Sequence, residues 1–270
     1  MTRGDGELSP SVLLAVDAEG HTATLTLNRP EALNAISRQL AVELQATCDA
    51  LSGRDDIRAV IVSGAGERAF CAGADLKERR LLAPAERAEH TAAIEAAAEA
   101  LAGLPMPTIA AVRGFALAGG AELAIACDLR VAAADAVLGF PEVRVGIFPG
   151  AGGALRLPRL IGGGAARDLL FTGRQVAAEE AFRLGLVDRL APAESVLRSA
   201  AELAAAIAAN APLAVRAVKR ALEVQASHGT PFDDARRAVN ALRMALDNTE
   251  DYEEGLAAFA ERRSPRFTGR

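Results

Sequence analysis

Apolar and β-branched residues first appear in two short runs, Val12–Asp17 and Thr22–Asn28, separated by Ala18-Glu19-Gly20. That grouping predicts two strands joined by a hairpin-like turn. From Ser37 to Leu51 the pattern changes: Leu40, Leu44, Thr47/Cys48 and Leu51 recur at helical spacing, and Gly53 closes the run. Ala59–Ser63 is a short continuous apolar stretch, as expected of a strand buried on both faces. Gly64–Gly73 reads as a glycine-rich loop leading into another helical segment. After Pro107 the same grammar returns, with strand Thr108–Val112, loop Gly114–Gly120, helix Ala121–Cys127 and strand Leu129–Ala132. Strand–loop–helix units in series predict an α/β fold, without a fixed-period repeat.

Beyond Pro192 the strand signal disappears. Glu194–Ala209, Pro212–Ser227, Pro231–Leu246 and Glu250–Arg262 all read as helices, punctuated by Asn-Ala-Pro, Gly-Thr-Pro and Asp-Asn-Thr. The chain therefore divides into a core over residues 1–192 and a helical region over 193–270. Ala200, Ala201, Ala204, Ala205 and Ala208 make faces that allow close helix approach, within one subunit or between subunits.

Composition narrows the class. With 270 residues, 51% hydrophobic and 24% charged, the chain is globular and long enough for one large core. Thirty basic against thirty-five acidic residues give a formal net charge of −5, which does not favour a dedicated nucleic-acid binder. Cys48, Cys71 and Cys127 are odd in number and far apart, as in a reducing cytosol rather than a disulfide framework. His21, His90 and His228 show no metal-ligand spacing. The first ten residues hold no apolar run of the secretory kind. The longest apolar candidate for a span, Gly114–Cys127, is short and contains Glu122. A soluble cytoplasmic protein is the expectation.

Two carboxylates stand out against their surroundings. Glu122 lies in Gly-Phe-Ala-Leu-Ala-Gly-Gly-Ala-Glu-Leu-Ala-Ile-Ala-Cys, where every other residue is small or apolar. Such a carboxylate must be paired, protonated or held by a helix N-terminus. Glu142 follows Pro141 in an equally apolar stretch and has Arg144 as a candidate ion-pair partner. If the two converge on one pocket, burial raises both pKa values into the range useful for acid/base chemistry. Phe70-Cys71-Ala72-Gly73-Ala74-Asp75, after a strand and before a helix, leaves main-chain N–H groups open for an oxyanion hole. Cys71 reads better as a small buried thiol than as a nucleophile, because no His follows nearby. Gly150-Ala151-Gly152-Gly153 lacks both the P-loop Lys-Ser/Thr and dinucleotide spacing, and reads as a turn capping a helix from Ala154.

In this order the pieces resemble the crotonase (enoyl-CoA hydratase/isomerase) superfamily. The matching stretches are Leu27–Pro30, Ala32–Ala35, Phe70–Lys77, Pro107–Glu122, Phe140–Gly153, Arg156–Arg159, Ala181–Leu186 and Phe259–Arg263. The resemblance implies a spiral of ββα units followed by a helical trimerisation region, in a trimer or a dimer of trimers. It implies an acyl-CoA thioester as substrate, with coenzyme A part of that substrate and no separate cofactor or metal. The oxyanion donors fall on the N–H groups of Ala74 and Gly119, and Ala74, Asp75, Leu76, Lys77 and Gly119 fall on the CoA-contacting positions. Glu122 and Glu142 match the hydratases' glutamates, which favours reversible hydration of a 2-enoyl-CoA. FCAGADLKER and RSPRFTG look closest to the branch that includes methylglutaconyl-CoA hydratase. Some relatives there also bind RNA, which the acidic balance disfavours here. A 3-enoyl/2-enoyl isomerase of the same fold, and a non-catalytic acyl-CoA- or RNA-binding scaffold, are the alternatives. Three departures stand out: Ala118 replaces a usual Gly, Ala154-Leu155 a common Thr-Gln, and Glu31 a frequent basic residue.

Overall fold

The computed structural model describes residues 9–226 and 231–270. The segment up to Glu7-Leu8 of the N-terminal reading, Ser227 at the end of a tail helix, His228, and Gly229-Thr230 of the tail punctuation lie outside the described residues. The chain opens with β1 (Val12–Val16) and β2 (Thr22–Leu27), an antiparallel pair with Val12 opposite Leu27. Helix α1 (Arg38–Ser52) starts where the Ser37 hydroxyl accepts from the Leu40 N–H, buries Leu40, Ala41, Leu44, Cys48 and Leu51, and stops at Gly53. That stripe at three- and four-residue spacing is the amphipathic face read from the sequence.

Three strand pairs then alternate between two sheets. β3 (Ala59–Gly64), β5 (Thr108–Val112) and β7 (Leu129–Ala133) add in parallel beside β2. Their followers β4 (Ala69–Cys71), β6 (Phe115–Leu117) and β8 (Val137–Gly139) build a second, parallel set. Each pair is followed by helix: α2 (Leu76–Leu81) and α3 (Pro84–Ala102) after β4, α4 (Gly119–Ala126) after β6, and α5 (Gly153–Ile161) with α6 (Gly163–Thr172) after β8. β9 (Gln175–Ala177) closes the small sheet antiparallel to β8; α7 (Ala178–Leu184) then leads to β10 (Arg189–Ala191), parallel to β7. The orders β1-β2-β3-β5-β7-β10 and β4-β6-β8-β9 describe a spiral of ββα units.

The expected loops Gly64–Gly73 and Gly114–Gly120 are thus each interrupted by a strand, and the helix expected from Ala121 begins two residues earlier. Three residues are too few for a period to be seen. Strands β3 and β5 are buried along most of their length, which accounts for their continuous apolar character. The tail helices are α8 (Val196–Ala208), α9 (Pro212–Ala226), α10 (Phe232–Met244) and α11 (Glu250–Glu261). A 3-10 turn at Ala193–Ser195 takes the first part of the expected helix from Glu194. Helix α8 packs on β3, β5 and β7, while α9 pairs with α10. Lys219 anchors α9 to the core through Asp128, 2.7 Å away, and the Met106 carbonyl. Among the described residues no single helix is long and apolar enough to cross a membrane.

Candidate active site

The spiral brings the ends of β4 and β6 side by side. After β4, Ile36 pairs with Ala74: the Ile36 N–H donates to Gly73 O at 2.7 Å, and the Asp75 N–H to Ile36 O at 3.0 Å. Alternation along the strand turns the intervening Ala74 N–H to the opposite side. His90, fully buried on α3, braces this bridge through a 3.1 Å bond between Nε2 and Ile36 O. A carbonyl only accepts, so Nε2 carries the proton. After β6, the Gly119 N–H lies in the first turn of α4, where no intrahelical acceptor is available. The two loops approach closely because Gly119 has no side chain: a Cβ there would stand 3.2 Å from Ile36 Cδ1 and 3.7 Å from Ala74 N. Ala118, in place of the usual glycine, takes φ 49° and ψ −128° to make the turn. A non-glycine residue in that region costs about 1–3 kcal/mol, held here beside Gly119.

Glu122 and Glu142 face one cavity of about 600 Å³, and Ala74 and Gly119 line it too. Glu122 is only 3% exposed; its Oε1 accepts from the Gly153 N–H at 2.8 Å, at the start of α5. Burial pushes its carboxyl up to about 7; the Gly153 bond opposes that rise and the neighbouring charge of Glu142 adds to it. Glu142 sits in a 3-10 turn, Pro141–Val145, and burial raises its pKa as well. Neither of its carboxylate oxygens has a hydrogen-bond partner among the described residues. The candidate ion pair with Arg144 does not form; Arg144 lines the cavity instead.

The remaining sequence candidates separate. Leu76 joins Ala74 and Gly119 on the cavity wall, half exposed at its edge. Asp75 turns away: its carboxylate caps α2 at the Lys77 and Glu78 N–H groups and pairs with Arg29 at 3.0 Å. Lys77 is exposed and lies off the wall, as does Glu31. Cys71 is buried with its thiol pushed up to about 12, so the nucleophile alternative is excluded at neutral pH. The Gly150–Gly153 turn proves to be a holder of Glu122, and α5 starts one residue before the expected Ala154. A Gly153 Cβ would stand 2.9 Å from Glu122 Oε1, so a side chain there would push the carboxylate aside. Sequence reasoning also missed Arg79, Thr91, Ile94 and Phe148 on the cavity wall. Arg79 is flanked by Glu78 and Arg80 and reads like an ordinary solvated helix charge.

The raised pKa of Glu122 has a consequence for stability. A carboxyl whose folded value lies above its ordinary 4.5 binds more protons in the native state, so stability falls as pH climbs from about 4.5 through about 7. The loss is on the order of 3 kcal/mol. Glu122→Gln keeps an acceptor for Gly153 and removes the titration. Urea unfolding should therefore show a flatter pH dependence for the variant and, above roughly pH 8, a more stable protein than wild type. An unchanged slope would contradict the placement of Glu122.

Two sheets wound by ββα units, with Ala74, Gly119 and two buried carboxylates on one cavity, define a protein of the crotonase fold with a candidate acid/base site. Residues 17–270 match the family described as enoyl-CoA hydratase/isomerase, and the chain belongs to that family. The putative enoyl-CoA hydratase/isomerase YngF of Bacillus subtilis (strain 168) is 45% identical over 266 residues, 97% of this chain and 100% of the relative. The crotonyl-CoA hydratase of Syntrophomonas wolfei is 38% identical, covering 94% of this chain and 97% of the relative. A solved enoyl-CoA hydratase structure from Bacillus anthracis matches with a TM-score of 0.92 at 40% identity, covering 96% of this chain and 100% of that one.

Proposed function

We propose that the chain is an enoyl-CoA hydratase, adding water reversibly across the C2=C3 bond of a short- to medium-chain 2-enoyl-CoA. The observation that carries this reading is a pair of buried carboxylates, one with its pKa raised to about 7, on a cavity that Ala74 and Gly119 also line. In the scheme, the N–H groups of Ala74 and Gly119 donate to the thioester oxygen. Water oxygen bonds to C3, the π electrons move toward C2 and the thioester oxygen, and one glutamate takes the water proton. A proton then passes to C2 and the carbonyl reforms. Fixed donors matter most as charge grows on that oxygen; loss of one costs about 3–4 kcal/mol in comparable sites. Glu142, with both oxygens unpartnered, is suited to exchange a proton with water, while Glu122 is held in place by Gly153.

Water is added without net oxidation, so the scheme asks for no redox group, and coenzyme A enters as part of the substrate. Leu76 at the cavity edge, with Asp75 and Lys77 beyond it, marks the side from which we bring CoA to Ala74 and Gly119. Soluble CoA esters as substrates, with a net charge of −5 on the chain, fit a cytoplasmic enzyme without a nucleic-acid partner. With crotonyl-CoA and longer homologues, absorbance of the conjugated thioester should fall on addition of the enzyme. Binding of CoA esters without turnover at any chain length would instead support the non-catalytic scaffold.

We assign the 193–270 region to assembly. Phe232 and Met244 on α10 are 81% and 59% exposed, Leu222 on α9 is 62% exposed, and Phe259 on α11 is 86% exposed. Large apolar side chains left this exposed on the tail helices are suited to burial against another chain. Light scattering at micromolar concentration should report three or six chain masses; a monomer would count against the assignment.

A further inference from the structure

The inner stripe of α3 is apolar with one exception. Ile94, Ala97, Ala98 and Leu101 are buried at three- and four-residue spacing, and the residue that opens the stripe, His90, is fully buried as well. An apolar side chain would fill that place without taking two ring nitrogens out of water. Nε2 bonds to Ile36 O at 3.1 Å, while Nδ1 has no hydrogen-bond partner among the described residues. Glu78 Oε2, 3.9 Å from Nε2, is beyond hydrogen-bond distance and accepts from the Arg38 N–H at 3.1 Å instead. The polar capacity of this buried ring is thus directed at one carbonyl.

That carbonyl belongs to a residue that bears on both proposed oxyanion donors. The Ile36 main chain brackets Ala74, giving its N–H to Gly73 O and taking the Asp75 N–H. Its side chain reaches the other loop, where a Gly119 Cβ would stand 3.2 Å from Ile36 Cδ1. Ile36 itself lies outside the regular elements, just before the Ser37 cap of α1, and is buried. Arg29 clasps the neighbouring residues, from Ala35 O at 2.6 Å to Asp75 Oδ2 at 3.0 Å, and leaves the Ile36 carbonyl to other donors. The Asp75 N–H belongs to the loop that is being positioned. His90 belongs to α3, which packs on α1 and on α4, the helix that carries Gly119 and Glu122. Rotation of the Ile36 peptide would move the Ala74 bridge and the Gly119 contact together. We propose that His90 is a positioning residue for the oxyanion hole: its Nε2–H fixes the Ile36 carbonyl, and through it the aim of the Ala74 and Gly119 N–H groups. The proposal rests on the hydratase reading, which assigns the thioester oxygen to those two groups.

The test compares wild type with His90→Phe, which keeps a ring and removes the donor, and with His90→Gln, whose amide nitrogen can stand in for Nε2. With crotonyl-CoA, kcat should fall by about 10–10²-fold in His90→Phe while KM changes little, because misaimed donors are felt most in the transition state. His90→Gln should recover part of the loss. A second readout needs no turnover. Butanoyl-CoA labelled with carbon-13 at the thioester carbonyl should show its C=O infrared band moving to lower frequency on binding wild type, since the donors polarise that bond. The shift should shrink in His90→Phe and return in part in His90→Gln. Calorimetric stoichiometry counts the binding-competent sites, so loss of folded protein cannot imitate either result; if His90→Phe does not fold, His90→Leu carries the same comparison. Unchanged kcat and an unchanged band shift in the apolar variant overturn the proposal. So does a slower enzyme whose bound fraction keeps the full shift, which would leave His90 a core residue. A band that does not move even in wild type defeats the donor assignment, and the proposal with it. A wild-type shift that His90→Phe reduces, without hydration of any 2-enoyl-CoA, would sustain the proposal and defeat the hydratase reading instead.

Discussion

Replacing either Glu122 or Glu142 by Gln is expected to lower hydration turnover by about 10²–10⁴-fold, the usual worth of a general acid–base step. Gln preserves volume and hydrogen bonding but cannot accept a proton. Affinity for the thioester should change far less, because its oxygen is assigned to backbone N–H groups at Ala74 and Gly119 and not to either carboxylate. If the two carboxylates act as a unit on one water, the double variant will be barely slower than either single one. The stability behaviour separates this from a structural role. Glu122→Gln should be the more stable protein at alkaline pH and the slower one, whereas a structural carboxylate would lose activity only as far as it lost folded protein. One dead variant beside one fully active variant would leave a single catalytic carboxylate and favour the isomerase.

Gly120→Ala is expected to have the largest effect among backbone substitutions near the site. A Cβ at Gly120 would stand 2.1 Å from the Cys71 carbonyl oxygen and 2.6 Å from its carbon, both main-chain atoms of β4. Neither can rotate aside, so α4 must lift away from the segment that continues into Gly73 and Ala74. Overpacking of this kind costs about 1–3 kcal/mol. Separation of the two oxyanion loops should also cost turnover, by roughly 10²-fold or more. Both losses are read from one preparation by chemical denaturation and initial rates. A folded Gly120→Ala enzyme with near-normal kcat would show that the contact between α4 and β4 does not set the site.

The strands best read from sequence were one that is buried throughout and two that clear breaks bound. Thr108–Val112 is buried along its whole length and lies where its apolar run places it. Val12–Val16 and Thr22–Leu27 end within a residue of expectation because Gly20 and Asn28 interrupt the run. Strands β4 and β6, three residues each among glycines, offered no period, and α3 is so rich in alanine that its inner face contrasts little with its outer one. Glu122 and Glu142 were visible as carboxylates out of place among apolar neighbours. Their meeting was not, because it depends on α4 and the turn after β8 closing over the same end of the small sheet. Gly153 was legible as a turn glycine but not as the donor to Glu122, and Arg79 was hidden among the charges of α2.

If this site adds water to a conjugated thioester, the oxygen of that water must end on C3. Incubation of crotonyl-CoA with the enzyme in water enriched in oxygen-18, followed by mass spectrometry of the products, tests it most directly. Wild type should form 3-hydroxybutyryl-CoA carrying one labelled oxygen on C3, and Glu122→Gln and Glu142→Gln should form almost none. Recovery of unlabelled crotonyl-CoA alone, or conversion of a 3-enoyl-CoA to its 2-enoyl isomer with no labelled hydroxyl, would contradict it.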